Sequence, residues 1–244
     1  TRRQQYIIDR MESNGFITED QADAARKETL KLRTPTETAV HAEYVAESVR
    51  QLIFSQYGAE TTTRGLNVYV TVDASDQAVA YRALRRGLLD YERRQHYRGP
   101  EGHVDLAGDA AGLDTRIAEA LIEHPDNDEL KAAVVLEASA KKVVAVLQSG
   151  ESITVTGEGL KPAQSGLSDK APPKIKIRPG AVIRVTKQAK GWEITQLPEV
   201  EGAFVALDPR DGSLLALVGG FDFNKNKFNH VTQAWRQPGS SFKP

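Results

Sequence analysis

The stretch AAVVLEASAKKVVAVLQSGESITVT, residues 132–156, decides the fold of the middle of the chain. It contains three short apolar runs of strand character, and two more follow it, giving five predicted strands: 132–138, 142–148, 151–156, 181–187 and 191–197. A polar, proline-rich stretch at 161–180 separates the third run from the fourth and is predicted to be a mobile loop. Five short strands predict a small barrel of the oligonucleotide/oligosaccharide-binding (OB) type.

The chain ahead of the barrel is predicted to begin with helices. The apolar residues of YIIDRM stop before Asn14-Gly15, where glycine can take the left-handed conformation that ends a helix. Thr18 and Gln21 have the spacing of a capping box, which predicts a second helix to about Leu32. Apolar residues recur at helical spacing over 42–57, which predicts a third helix.

A strand and a fourth helix are predicted next. Alternate positions of GLNVYVTVD, residues 65–73, are apolar, as in a strand with one apolar face: Leu66, Val68, Val70 and Val72. Asp73 or Ser75 can cap the helix that runs through QAVAYRALRRGLLDYERR. The order of helix, strand and helix indicates a small α/β connecting module.

Two apolar runs after the barrel, AFVALD and SLLALVGGF, are predicted to form a hairpin. Pro209-Arg210-Asp211-Gly212 joins them, and Gly212 can adopt a positive φ. Because both runs are apolar on both faces, we expect them to lie inside a larger sheet that is covered on each side.

Composition excludes several classes of protein. The chain has 32 Lys and Arg residues against 33 Asp and Glu, and residues 97–200 have 13 basic against 15 acidic residues. Because neither the chain nor the predicted barrel carries an excess of positive charge, the composition does not predict nucleic-acid binding. The absence of cysteine excludes disulfides and thiolate metal sites, and the scattered histidines predict no metal centre. The apolar runs fall far short of the roughly 20 residues that cross a bilayer.

The last nine residues, RQPGSSFKP, 236–244, contain Ser240 and Lys243 at the spacing S-x-x-K. A serine at the start of a helix and a lysine one turn later lie on the same face, so the amine can accept the hydroxyl proton during attack on an acyl group. The spacing alone is weak evidence, because Ser139 and Lys142 match it inside a strand-rich region. The plain alternative is a capping serine followed by an exposed lysine.

The longer context resembles the active-site entry of the bifunctional, class A penicillin-binding proteins. FNHVTQAWRQPGSSFKP and VALDPRDGSLLALVGGFDF carry this resemblance. GLNVYVTVDASDQAVAYRALRRGL is similar to the interdomain linker of that family, and YIIDRMESNGFITEDQADAA to the last helices of its glycosyltransferase domain. A barrel inserted before the transpeptidase domain is similar to the 1a-type proteins of Gram-negative bacteria.

The resemblance implies an α+β, multi-domain fold class with four parts. These are the C-terminal helices of a glycosyltransferase domain at 1–40, an interdomain α/β linker at 41–96, an inserted OB-like barrel at 97–201, and the first strands of a serine β-lactamase-like transpeptidase domain at 202–244. The S-x-N and K-T-G motifs of the family are expected beyond residue 244, and its glycosyltransferase glutamates and membrane anchor before residue 1. The chain is therefore expected to be a fragment that is inactive by itself.

The resemblance also implies a function for the parent protein. Ser240 would be the nucleophile that stem peptides and β-lactams acylate, and Lys243 its general base. The parent would cross-link stem peptides and polymerise glycan strands, with no metal or organic cofactor. It would be anchored on the periplasmic side of the bacterial inner membrane, with an outer-membrane or periplasmic protein as a partner at the barrel.

Two alternatives stay open at this point. A serine β-lactamase-like hydrolase shares S-x-x-K, although the linker and barrel ahead of the motif count against it. An OB-type binding module without catalysis would use the barrel to bind a protein or a glycan, and Ser240 would then be structural.

Overall fold

The computed structural model describes residues 2–27, 40–107 and 110–243. The chain divides into two compact units, Thr1–Ala39 and Val40–Pro244. The predicted mixture of helices and antiparallel sheets is confirmed. Among the described residues, no helix has both the length and the apolar character that a membrane span needs.

The first unit contains helices α1 (Arg2–Ser13) and α2 (Glu19–Lys27). Gly15 ends α1 in the left-handed region at φ +73°, and the Phe16 N–H donates to the Met11 carbonyl at 2.9 Å, as in a Schellman motif. The predicted capping box is present, because the Thr18 N–H donates to Gln21 Oε1 at 2.9 Å and the Gln21 N–H to Thr18 Oγ1 at 3.3 Å. The predicted end of α2 near Leu32 lies outside the described residues.

The second unit begins with two long helices, α3 (Glu43–Tyr57) and α4 (Ala74–Glu92). Helix α3 lies where the apolar spacing predicts it, and α4 follows the predicted cap at Asp73 or Ser75. Asp73 rather than Ser75 caps α4, because the Asp73 carboxylate accepts the backbone N–H groups of Ser75 and Asp76 at 2.8 and 3.1 Å. A further helix, α5 (Ala110–Glu123), precedes the main barrel strands.

The prediction of a strand at 65–73 is wrong. In the described part of the chain the segment pairs with no strand, and two hydrogen bonds near its end join it to a neighbour, from Thr71 Oγ1 to the Leu214 carbonyl and from the Asp73 N–H to the Leu215 carbonyl. Leu66, Val68 and Val70 are exposed. Alternating apolar residues reveal a preference for extended backbone, whereas a strand also needs a continuous hydrogen-bonded neighbour.

The barrel contains all five predicted strands, within two residues at either end. Its strands are β1 (Gly102–His103), β2 (Leu130–Ala138), β3 (Lys142–Leu147), β4 (Ser152–Thr156), β5 (Ala181–Gln188) and β6 (Gly191–Thr195). All pairs are antiparallel in the order β1-β5-β2-β3-β4, and β6 also pairs with β5. Strands β4 and β6 lie side by side without forming a ladder.

Strand β2 is buried on both faces, which explains its unbroken apolar sequence. Ala133 and Val135 face the interior of the barrel, together with alternate residues of β3, β4 and β5. Ala132 and Val134 face the opposite way and pack with α5 residues Ile117 and Leu121. The alternation of strand side chains thus places one strand between two cores.

The stretch 161–180 forms no strand, as predicted, but it is not a loose loop. A 3-10 helix at Gly157–Ala163 leads into it. Ala163, Leu167 and Ile177 of the stretch are buried in the barrel core, as is Leu160 immediately before it. The polar composition of this stretch therefore conceals a few spaced apolar residues that fix it to the barrel.

The predicted hairpin is present as β7 (Phe204–Leu207) and β8 (Leu214–Val218), with Gly212 at φ +74° in the connecting turn. Leu217 of β8 packs against α3, whereas Ala216 and Val218 pack against α4. Strand β7 is largely exposed. The larger sheet around the hairpin stays a prediction.

Candidate active site

The candidate nucleophile lies on a short helical turn near the end of the chain. The turn is a 3-10 helix at Gly239–Phe242, and it follows Gly239 at φ +56°, a left-handed value that favours glycine. Ser240 is the second residue of the turn. At Lys243 the backbone is extended, and the Lys243 N–H donates to the Ser240 carbonyl at 3.2 Å.

One backbone hydrogen bond links Lys243 to Ser240 across the turn, and Lys243 itself lies just after the 3-10 helix. Both side chains are exposed, and among the described residues no hydrogen bond joins the Ser240 hydroxyl to the Lys243 amine. The roles of nucleophile and base stay predictions.

The second S-x-x-K match, at Ser139 and Lys142, has a structural use. It lies in the turn between β2 and β3, where the Ser139 hydroxyl donates to the Lys142 carbonyl and accepts from the Lys142 N–H, both at 3.0 Å. The Lys142 amine bonds instead to Glu137 at 3.3 Å. This serine and lysine stabilise a hairpin turn.

The segment that leads from β8 towards Ser240 packs closely against α3. A Cβ atom added to Gly219 would lie 2.6 Å from the Tyr44 ring, and one added to Gly220 would lie 2.3 Å from the Tyr44 hydroxyl. That hydroxyl donates to the Asn226 carbonyl at 2.7 Å. The two glycines are therefore required by close approach to Tyr44.

Asn229 forms hydrogen bonds both within this segment and to α3. Its side chain is buried, and its Oδ1 accepts the Val231 N–H at 3.0 Å while its Nδ2 donates to Ser48 Oγ at 3.4 Å. His230 is a packed residue, because its backbone N–H donates to the Gly219 carbonyl at 2.9 Å and its Nδ1 lies 2.8 Å from the same oxygen. Residues 219–233, which we call the approach segment, thus form a folded unit ahead of the Ser240 turn.

A cavity of about 130 Å³ lies between the two long helices, the barrel and the approach segment. Carboxylates and aromatic rings line much of it: Glu43, Asp126, Asp128, Asp222, His41, Tyr44, Tyr81 and Phe223. The His41 and Tyr81 rings are stacked at 4.0 Å. Burial raises the pKa of Tyr44, and the nearby carboxylates of Glu201, Asp222 and Glu43 raise it further.

Sequence reasoning missed Arg85 of α4, which is 3% exposed and donates hydrogen bonds to Phe221 and Asn127, two residues that line the cavity. A signal was available, since Arg85 falls on the buried face of α4 together with Tyr81 and Leu88 at helical spacing.

Across the described ranges 2–27, 40–107 and 110–243, no group of three or more His, Cys, Asp or Glu residues is arranged to hold a metal ion.

Comparisons with known proteins agree with the sequence resemblance. A family model described as the penicillin-binding protein OB-like domain matches residues 97–200. Penicillin-binding protein 1A of Neisseria flavescens is 40% identical over 243 residues, which cover 99% of this chain and 30% of that protein. The protein of the same name from Escherichia coli K12 is 35% identical over 249 residues, covering 99% of this chain and 29% of its own length.

A solved structure is similar over nearly the whole chain. The crystal structure of penicillin-binding protein 1A from Haemophilus influenzae matches with a TM-score of 0.77 at 32% identity. The match covers 98% of this chain and 34% of that one. The chain therefore spans about 30% of the length of the curated relatives it matches.

Proposed function

Since this chain belongs to the penicillin-binding protein 1A family, we propose that its parent protein is a peptidoglycan synthase in which Ser240 is the acylated nucleophile and Lys243 the general base. The observation that carries the proposal is the one-turn helix at Gly239–Phe242, which contains Ser240 and directly precedes Lys243. In the proposed reaction the Lys243 amine approaches the Ser240 hydroxyl across this turn and accepts its proton.

The proposed reaction has two steps. The Ser240 hydroxyl attacks the carbonyl carbon of the D-Ala-D-Ala amide in a stem peptide, and the Lys243 amine takes the hydroxyl proton. The C–N bond then breaks, the terminal D-alanine leaves with a proton, and an ester remains on the serine. An amine of a neighbouring stem peptide attacks that ester and forms the cross-linking amide, the C–O bond breaks, and the proton lost by the amine passes to the serine oxygen, which regenerates the hydroxyl.

A β-lactam is proposed to react with the same hydroxyl. Opening of its ring forms an ester on Ser240, and because the ring nitrogen stays attached to the acyl group, no small leaving group departs. The proposal extends to the rest of the parent as the sequence resemblance implies: glycan polymerisation by a glycosyltransferase domain, a membrane anchor, and a position on the periplasmic side of the inner membrane.

Labelling with a fluorescent penicillin tests the proposal in the full-length parent. We expect a lasting adduct on the wild-type protein and none on Ser240→Ala. The matched control is Ser241→Ala, which removes the neighbouring hydroxyl and should keep part of the labelling.

The same experiment separates the alternatives. Rapid turnover of the label would indicate a β-lactamase-like hydrolase, and the complete absence of an adduct would indicate a binding module. Equal loss of labelling in both alanine variants would contradict the choice of Ser240.

A further inference from the structure

Arg85 of α4 binds Phe221, the third residue of the approach segment, through both its ring and its backbone. The guanidinium carbon lies 4.0 Å from the centre of the Phe221 ring, and Nη1 donates to the Phe221 carbonyl at 3.0 Å. Arg85 and Phe221 are each 3% exposed, so this contact is shielded from water. Arginine therefore holds one residue of the segment by cation–π and hydrogen-bond contacts together.

The same guanidinium binds the barrel. Nη2 donates to Asn127 Oδ1 at 2.7 Å and to the Asn127 carbonyl at 3.2 Å, and Nε donates to Glu129 at 3.1 Å. Asn127 and Glu129 belong to the loop that enters β2, and Asp126 fixes this loop by accepting the Ala132 N–H at 3.0 Å. One buried cation thus joins α4, the barrel and the approach segment.

Asn127 forms a second link between the barrel and the approach segment. Its Oδ1 faces the donors of Arg85, so its Nδ2 faces Asp222 and donates to Asp222 Oδ2 at 2.6 Å. The other carboxylate oxygen of Asp222 accepts the Asn224 N–H, and the Asp222 carbonyl accepts the Asn226 N–H, both at 2.9 Å. One carboxylate oxygen of Asp222 therefore bonds to the barrel, while the other and the backbone carbonyl bond to the turn that follows Asp222.

We propose that Arg85, Asn127 and Asp222 form a clamp through which the barrel positions the approach segment and, with it, the Ser240 turn. This inference rests on the proposed function of Ser240. The three are positioning residues, because they act on the nucleophile only through the backbone that runs from the approach segment to the Ser240 turn. The barrel then contributes to acylation by holding the segment in place, independently of any partner that binds the barrel.

The test exchanges donor and acceptor within the clamp. Asn127→Asp removes the donor to Asp222 and brings two carboxylates together, while Arg85 keeps an acceptor. Combining Asn127→Asp with Asp222→Asn restores the hydrogen bond with its polarity reversed. Arg85→Gln removes the cation, and Arg86→Gln, at an exposed neighbouring position of α4, is the matched control.

The measurement is the limiting rate of acylation by fluorescent penicillin in the full-length protein, well below its unfolding midpoint. We expect Asn127→Asp and Arg85→Gln to lower that rate about 10- to 100-fold, with little change in the penicillin concentration that gives half the limiting rate. The double exchange should recover most of the rate, and Arg86→Gln should match wild type. A residue that only stabilises the fold would shift the unfolding midpoint and leave the limiting rate unchanged.

Two outcomes overturn the inference separately from the proposed function. Loss of labelling in Ser240→Ala together with wild-type acylation by folded Asn127→Asp overturns the clamp alone. Failure of the double exchange to recover the rate of Asn127→Asp also overturns it, and this comparison stands even where Arg85→Gln does not fold. Labelling that persists in Ser240→Ala overturns the proposed function and the clamp together.

Discussion

The barrel and the terminal hairpin use similar apolar strands in different ways. In the barrel, β2 is covered on one face by the other strands and on the other by α5, and its central residues have no exposed surface. In the hairpin, β8 is covered by α3 and α4, whereas Phe204, Val205 and Leu207 of β7 are 40%, 47% and 55% exposed. The barrel completes its own core, and the hairpin depends on the helices that lie beside it.

This difference separates stability from the candidate chemistry. The barrel buries most of the large apolar side chains of the second unit, and it contains no predicted catalytic residue. The hairpin and the approach segment lead to Ser240, and polar contacts from neighbouring elements hold them, such as Tyr44 to Asn226 and Asn127 to Asp222. We therefore expect substitutions in the barrel core to act mainly on unfolding, and substitutions at the contacts that hold the approach segment, including those of Asn127, to act mainly on acylation.

The sharpest test of the contrast compares one residue from each region. Ile183 of β5 is 1% exposed, so Ile183→Ala should lower the free energy of unfolding by about 2–5 kcal/mol. Leu207→Ala on exposed β7 should change it by less than about 0.5 kcal/mol. Urea unfolding followed by Trp192 fluorescence measures both, in a Trp235→Phe background that leaves Trp192 as the only tryptophan. Equal losses would remove the distinction between the regions.

Two glycines test how tightly each region is packed. A Cβ atom at Gly159 would lie 2.2 Å from the Trp192 carbonyl oxygen, so Gly159→Ala should destabilise the barrel by about 1–3 kcal/mol. Gly87 lies within α4 with open space around it, and Gly87→Ala should stabilise the helix by about 0.5–1 kcal/mol. Thermal unfolding of the two variants should therefore shift in opposite directions. A shift in the same direction would contradict the packing described for one of the two sites.

The smallest expected effect concerns the cap of α4. Hydrogen bonds from the Ser75 hydroxyl and from the backbone of Asp76 and Ser75 lower the pKa of Asp73. A lowered folded-state pKa contributes stability above the unfolded value, near pH 4, and that contribution is lost as the pH falls through the folded value. Asp73→Asn keeps an oxygen that can accept the hydrogen bonds but removes the carboxyl group that titrates. The difference in urea midpoint between wild type and Asp73→Asn should therefore shrink in acid, and a difference independent of pH would contradict this origin.

The sequence predicted the elements whose signals are local. Short apolar runs predicted the barrel strands, and the Thr18–Gln21 spacing and Gly212 predicted a cap and a turn that both form. The extended run at 65–73 was misread, because alternation does not report whether a neighbouring strand is available. The packing of 161–180 was missed because its buried residues are separated by many polar ones.

In the candidate site, too, local features of the sequence predict some residues, whereas contacts between distant parts of the chain are not predicted. Ser240 and Lys243 could be selected from their spacing and context, since both features lie within a few residues. The contacts among Arg85, Asn127 and Asp222 could not, because they join residues 42 and 95 positions apart in the chain. Helical spacing indicates that Arg85 is buried, but only the tertiary fold shows which acceptors meet it.

The most direct measurement of the central claim is the site of acylation. The full-length parent is treated with penicillin and digested, and mass spectrometry of the peptide that contains residues 239–243 locates the added mass. The account predicts the adduct on Ser240. An adduct on Ser241, on a serine elsewhere, or on no residue would contradict it.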